Sequence, residues 1–193
     1  MRIFLSTFFL LTLFNCVSIK EQIRSPKDDI YLKHIKSCTG RGSISSVGNF
    51  SGRLSFNFIS QNDSSFCQFQ DFLGRKVLLL WLTENSIDAW NLIENKKYSH
   101  SNISEIIPIL SVLNPNHLIK FLWGKEITSN QISVPSQVNI EVKLGKRNQS
   151  NTIIDEATFI DKSNRQELSI KIDSRVFNQK NINLKKYWKI ILS

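Results

Sequence analysis

Three histidines and three cysteines are the first places to look for chemistry in this 193-residue chain. His34, His100 and His117 have no metal-ligand spacing, and Cys38 and Cys67 stand too far apart to begin a zinc site. His34 falls on a predicted helix, His100 in a polar turn and His117 near a helix start, and each reads as a surface or capping residue. No G-x-S-x-G elbow is present, and no S-x-x-K carries the neighbouring motifs that would make its serine a nucleophile. Gly40-Arg41-Gly42 lacks the G-K-S/T ending and the following helix of a phosphate loop. The acidic residues are scattered, and no pair is suited to acid–base work. These residues recommend no enzyme, and no cofactor or metal is expected.

What remains is binding chemistry, and the charge bears on it. Lysine and arginine exceed aspartate and glutamate by 25 to 16, a net charge of +9, which favours anionic lipid, nucleic acid or acidic protein surfaces. Lys180 to Lys189 interleaves basic and aromatic residues as a nucleic-acid-binding strand would. The plainer reading is a terminal strand with Ile182, Leu184, Tyr187 and Ile190 packed and the lysines solvated. Nucleic acid is therefore not expected as a partner. With 41% apolar and 21% charged residues the chain is globular, and its length suits one domain.

The N-terminus differs from everything after it. Arg2 precedes an apolar run, Ile3 to Phe14, that is too short for a hydrocarbon core, which needs about 20 residues. It suits the h-region of a secretory signal. Leu13-Phe14-Asn15-Cys16 closes the run and resembles the lipobox of bacterial lipoproteins, in which the cysteine takes a diacylglycerol and becomes the mature N-terminus. The chain is thus read as a lipoprotein signal peptide (1–15), a lipidated tether (16–27) and one domain (28–193). Val17 in place of aspartate after the cysteine implies sorting to the outer membrane. Sequons at Asn49, Asn62, Asn102 and Asn148 have no meaning in such a protein. Cys38 and Cys67 either form one periplasmic disulfide or stay buried as small hydrophobes, with buried thiols favoured.

The elements that position the rest are mostly strands. Asp28-Asp29 ahead of Tyr31, Leu32 and Ile35 predicts a short amphipathic helix, ended by Gly40 and Gly42, which open a stretch of strand character. From Asn49 the pattern alternates, with Phe50, Leu54, Phe56 and Phe58 on one face. Ser65–Asp71 sets Cys67 and Phe69 against Phe66 and Gln68. Val77–Leu82 is an uninterrupted apolar strand, Ile87–Ile93 is the next, and Glu94-Asn95-Lys96-Lys97 is a turn. The period then becomes helical. Asn102-x-x-Glu105 is a capping box before Ile106, Ile107, Ile109, Leu110 and Leu113, and Asn114-Pro115 caps a second helix that Gly124 stops. Strands return around Val138–Leu144, Ile153–Ile160 and Leu168–Ile172, and Ile182–Leu192 is expected to close the sheet. The fold class is therefore mainly β with a helical insert. It is a curved antiparallel sheet, an incomplete half-open β-barrel, with short helices as a lid over an apolar cavity.

Several strings, in this order and spacing, resemble the LolB family of outer-membrane lipoprotein receptors. Thr39-Gly40-Arg41-Gly42 is similar to the opening of that family's first strand, and Phe72-Leu73-Gly74 stands where the family has P-L-G between two strands. Asn95-Lys96-Lys97-Tyr98 resembles the turn into the first lid helix. Asn114-Pro115-x-x-Leu118-x-x-Phe121-Leu122-Trp123-Gly124 resembles the second, and Lys186-Tyr187-Trp188-Lys189-Ile190-Ile191 the closing strand. The likeness covers roughly residues 28–192. Phe72 in place of proline and Trp123 directly before the glycine depart from the pattern.

The resemblance implies a monomer anchored by lipid on the periplasmic face of the outer membrane. It would take acylated lipoproteins from a periplasmic carrier and insert them into the membrane. On this reading Leu54, Phe56, Phe58, Leu79 and Trp81, covered by Leu110, Leu118 and Phe121, shelter acyl chains, while Phe72 and Leu73 touch the bilayer. Ordinary core packing accounts for the same apolar residues. The alternatives are an anchored envelope interaction module on this fold that carries no acyl chain, and a lipid-modifying hydrolase.

Overall fold

A computed structural model describes residues 34–48, 51–99, 102–103, 114–125, 140–145, 153–162 and 165–192. The predicted signal and tether with Cys16, the body of the helix predicted from Asp28, Leu110 and the first lid helix beyond Ile103 lie outside these residues. Nine strands form one sheet: β1 (Ser37–Val47), β2 (Gly52–Gln61), β3 (Ser64–Gln70), β4 (Lys76–Leu82), β5 (Ile87–Asn91), β6 (Lys96–Tyr98), β7 (Ile140–Gly145), β8 (Glu156–Asp161) and β9 (Gln166–Asn178). Two helices accompany them, α1 (Pro115–Leu122) and α2 (Leu184–Leu192).

The sheet runs β6-β5-β4-β3-β2-β1-β9-β8-β7, with every neighbouring pair antiparallel. β6 and β7 are its two edges, so the sheet curves without closing. Its inner face is one cluster drawn from both halves: Phe56, Phe58, Cys67, Phe69 and Leu80 from one side, Phe159, Ile170 and Ile172 from the other. α1 sits over this cluster with Leu118, Ile119, Phe121 and Leu122 buried. The predicted curved, half-open sheet with a helical cover is what the chain forms.

The bend has a local cause at β1. Gly40 pairs with Phe58 and Gly42 with Phe56, and the β1–β9 register slips between Arg41 and Gly42. A bulge raises the local twist, and glycines let aromatic rings from the next strand lie across the backbone. The sequence reading has these glycines ending a helix and opening a strand, whereas they lie inside a strand that already begins at Ser37.

Other boundaries also move. The strand predicted to Ile93 stops at Asn91, because the Asn91 Oδ1 accepts from the amides of Ile93 and Glu94 and turns the chain. Lys96 and Lys97, read as turn, form the short edge strand β6 instead. The strand predicted from Ile153 begins at Glu156, and that predicted from Val138 is described from Ile140.

The largest correction is at the C-terminus, where the predicted strand Ile182–Leu192 is helix α2. Leu184 and Tyr187 are three apart, a helical spacing, and both join a second cluster on the outer face. Strand alternation would have set Lys186 beside Leu184. As a helix the segment leaves Lys185, Lys186 and Lys189 exposed.

Candidate functional site

The site is a cavity under α1, and the helix is held in place by its C-terminal end. Asn114 starts the helix, its Oδ1 accepting from the Asn116 amide at 2.9 Å, with Pro115 at the first helical position. At the other end the amides of Gly124 and Lys125 satisfy the Phe121 and Lys120 carbonyls, and the Leu122 carbonyl looks outside the helix. Arg175, on β9 and buried, reaches this end: its Nε donates to the Leu122 carbonyl at 2.8 Å and its Nη2 to the Phe121 carbonyl at 2.9 Å. Nη2 also donates to the Ile154 carbonyl at 2.6 Å, and Nη1 pairs with the Asp155 carboxylate. Trp123 donates from Nε1 to Ser60 Oγ at 2.7 Å, and Ser60 accepts in turn from Ser65 Oγ. Gly124, at φ +73°, ends the helix as predicted. A β-carbon there would strike the Ile153 side chain.

Beneath α1 lies a cavity of about 50 Å³ lined by Ile44, Phe56, Cys67, Phe69, Leu80, Leu82, Leu118, Phe121, Leu122, Leu168 and Ile170. The lining holds no carboxylate, hydroxyl or imidazole. Its one thiol, Cys67, is pushed up to about 12 by burial and is no nucleophile at neutral pH. Cys38 is likewise pushed up to about 12, burial outweighing the opposing pull of the Arg175 guanidinium. Both cysteines are free and buried, the alternative the sequence reading favoured. Among the described residues no cluster of His, Cys, Asp and Glu is arranged to hold a metal ion.

Of the predicted acyl contacts, Phe56, Leu118 and Phe121 line the cavity. Phe58 is buried in the same core without lining it, and Leu54 is half-buried against it. Leu79 and Trp81 do not belong there. They point from β4 to the outer face, where they pack with Phe66, Leu184 and Tyr187. β4 is covered on both sides, so its unbroken apolar run carries no sign of which residues face inward. The answer lies in β3, whose Cys67 pairs with Leu80 and Phe69 with Leu78. That pairing also brings in Leu80 and Leu82, which the sequence reading missed. His117 is buried, not on the surface, and its Nδ1 has no hydrogen-bond partner. Burial, then the charge of Lys120, holds its imidazole below the ordinary value.

A second feature stands at the β3–β4 turn. Phe72 is 88% exposed and Leu73 63%. Asp71 braces them: its Oδ1 accepts from the amides of Leu73 (2.9 Å) and Arg75 (3.0 Å), and its Oδ2 from Arg75 Nε (2.7 Å). Desolvation pulls the Asp71 carboxyl up, but these bonds outweigh it and hold it below the usual carboxylate value. Gly74, at φ +78°, completes the turn.

Fold and site together define a class: an open antiparallel half-barrel whose apolar interior is closed by a clamped helix. No protein-family model and no curated protein matches the chain. Among solved structures it is similar to a DUF1329 family protein from Desulfovibrio piger. The two are 8% identical over 81% of this chain and 93% of that one, with a TM-score of 0.41.

Proposed function

We propose that this protein is a lipid-anchored acceptor of acylated lipoproteins on the periplasmic face of the outer membrane, working as a monomer and without catalysis. The observation that carries the reading is the wholly apolar cavity under α1. An acyl chain stays in an aqueous compartment only if its methylenes are sheltered, each worth about 0.8 kcal/mol. The cavity is small beside the ~300–1,000 Å³ of pockets that enclose a whole organic ligand. The acyl chain therefore enters as α1 lifts, its N-terminal end first, since Arg175 and Trp123 fasten the other end. Phe72 and Leu73 then meet the bilayer during release. The likeness of the T-G-R-G, F-L-G and N-P-x-x-L strings to the LolB family supports this direction of transfer.

A palmitoylated peptide carrying a diazirine in its acyl chain tests the proposal on the full chain. Adducts at Phe56, Phe69, Leu118 or Phe121 support it. Adducts confined to residues 1–33, or none at all, favour the second reading, an anchored interaction module on the same fold, toward which the modest cavity volume points.

A further inference from the structure

The first six strands bring three strand junctions to one end of the sheet, the first with Asn49 and Phe50 outside the described residues. Ser46 pairs with Gly52 where β1 passes to β2, Ser55 with Gln70 where β2 starts and β3 ends, and Leu78 with Asn91 where β4 starts and β5 ends. The turns after Val47, after Gln70 and after Asn91 therefore form one rim. Successive turns are two strands, about 10 Å, apart.

This rim collects the exposed apolar side chains. Ile93 is 73% exposed and Val47 62%, beside Phe72 and Leu73, while Leu144 and Val176 lie toward the far ends of β7 and β9. Both later turns are braced alike. Asn91 holds the amides of Ile93 and Glu94 as Asp71 holds those of Leu73 and Arg75. The apolar tips are thereby kept out of the core. Arg53, Arg75, Lys76 and Lys96 are exposed just behind them. Of the acidic groups there, Asp71 is paired with Arg75, Glu94 accepts from the Tyr98 hydroxyl, and Glu167, opposite Val47 on β9, is exposed. Among the first six strands, the hairpin tips at the opposite end are Asn62-Asp63 and Glu84-Asn85, with neither cation nor large apolar group.

We infer that this rim is a membrane-docking edge that seats on a bilayer containing anionic lipid, with Val47 and Ile93 entering beside Leu73. The inference rests on the proposed bilayer contact of Phe72 and Leu73 and extends it to Val47 and Ile93. Separate apolar points on different hairpins suit a bilayer, which accepts them at any spacing, better than one complementary protein groove. The basic side chains behind the tips lie where anionic headgroups would be.

The test uses the full chain with Cys16→Ser in vesicles of phosphatidylcholine with a minority of phosphatidylglycerol. Nitroxides are attached one at a time at Val47→Cys, Leu73→Cys, Ile93→Cys and Glu84→Cys. Cys38 and Cys67, buried and protonated, do not compete for the label. The expected result is membrane-level oxygen accessibility at 47, 73 and 93, water-level accessibility at 84, and shallower tips in vesicles of phosphatidylcholine alone. Immersion at 73 alone overturns the rim and leaves the acceptor reading standing. Water-level accessibility at all four overturns the rim and the bilayer contact of Leu73 together. Tips that immobilise only as protein concentration rises overturn the rim in favour of self-association.

Discussion

The ring of Phe58 lies across the bare Cα of Gly40 on the neighbouring strand. A β-carbon placed on Gly40 would stand 2.5 Å from Phe58 Cε1 and would also strike the Ser174 carbonyl oxygen on β9. Gly42 stands in the same relation to Phe56, at 2.8 Å from its Cζ. These two pairs let the inner-face aromatics fold over the middle of the sheet, where it turns around the cavity.

Gly40→Ala should therefore overpack the bend and cost about 1–3 kcal/mol. At this chain length that lowers Tm by about 2–12 °C. Gly52→Ala is the control, because a β-carbon there meets nothing within 4 Å. It should leave Tm unchanged or slightly raised. Equal losses from the two substitutions in thermal melts would contradict the account of the bend.

Arg175→Met tests the clamp on α1. It leaves the Asp155 carboxylate without its guanidinium partner and removes one donor from each of the carbonyls of Phe121, Leu122 and Ile154, of which Phe121 keeps the Gly124 amide. Removing one partner of a buried ion pair costs about 3–5 kcal/mol. Urea melts should show this loss, and hydrogen exchange should quicken most at the amides of α1. Uniform quickening across β2–β4 as well would mean that Arg175 holds the whole fold and not the helix.

His117 gives the fold a pH dependence of known sign. Its imidazole is held below the ordinary value, so protons bind the unfolded chain more readily than the folded one. Stability is complete above about pH 6.5, the unfolded value, and is lost as pH falls through the folded value. Urea midpoints between about pH 7.5 and 5.5 should fall in the native protein and fall less in His117→Gln. Identical slopes would remove His117 from this role.

Much of this was legible in the residues. Alternation at Leu54, Phe56 and Phe58 fixes the face of β2, and Asn114-Pro115 and Gly124 bracket α1 at both ends. The face of β4 was not legible. Leu78, Leu80 and Leu82 are no more apolar than Leu79 and Trp81 when both sides are buried, and only the pairing with β3 separates them. The C-terminal helix was hidden for a related reason. Tyr187 and Leu184 read as packed in either period, and the deciding fact is the outer-face cluster that they cover. Arg175 left no local signal at all. Its partners are carbonyls on α1 and ahead of β8, more than 20 residues away in sequence.

The most direct test of the acceptor reading mixes a periplasmic carrier, loaded with an acylated lipoprotein, with vesicles bearing the full chain. Cargo is followed to the vesicles by flotation. Cargo is expected to move to vesicles bearing the native protein and much less to vesicles bearing Ile44→Trp, which fills the cavity. It should also move less with Leu73→Glu, whose exposed site leaves stability within about 0.5 kcal/mol. Cargo that stays on an active carrier, or that moves equally well with Ile44→Trp, would contradict the acceptor reading.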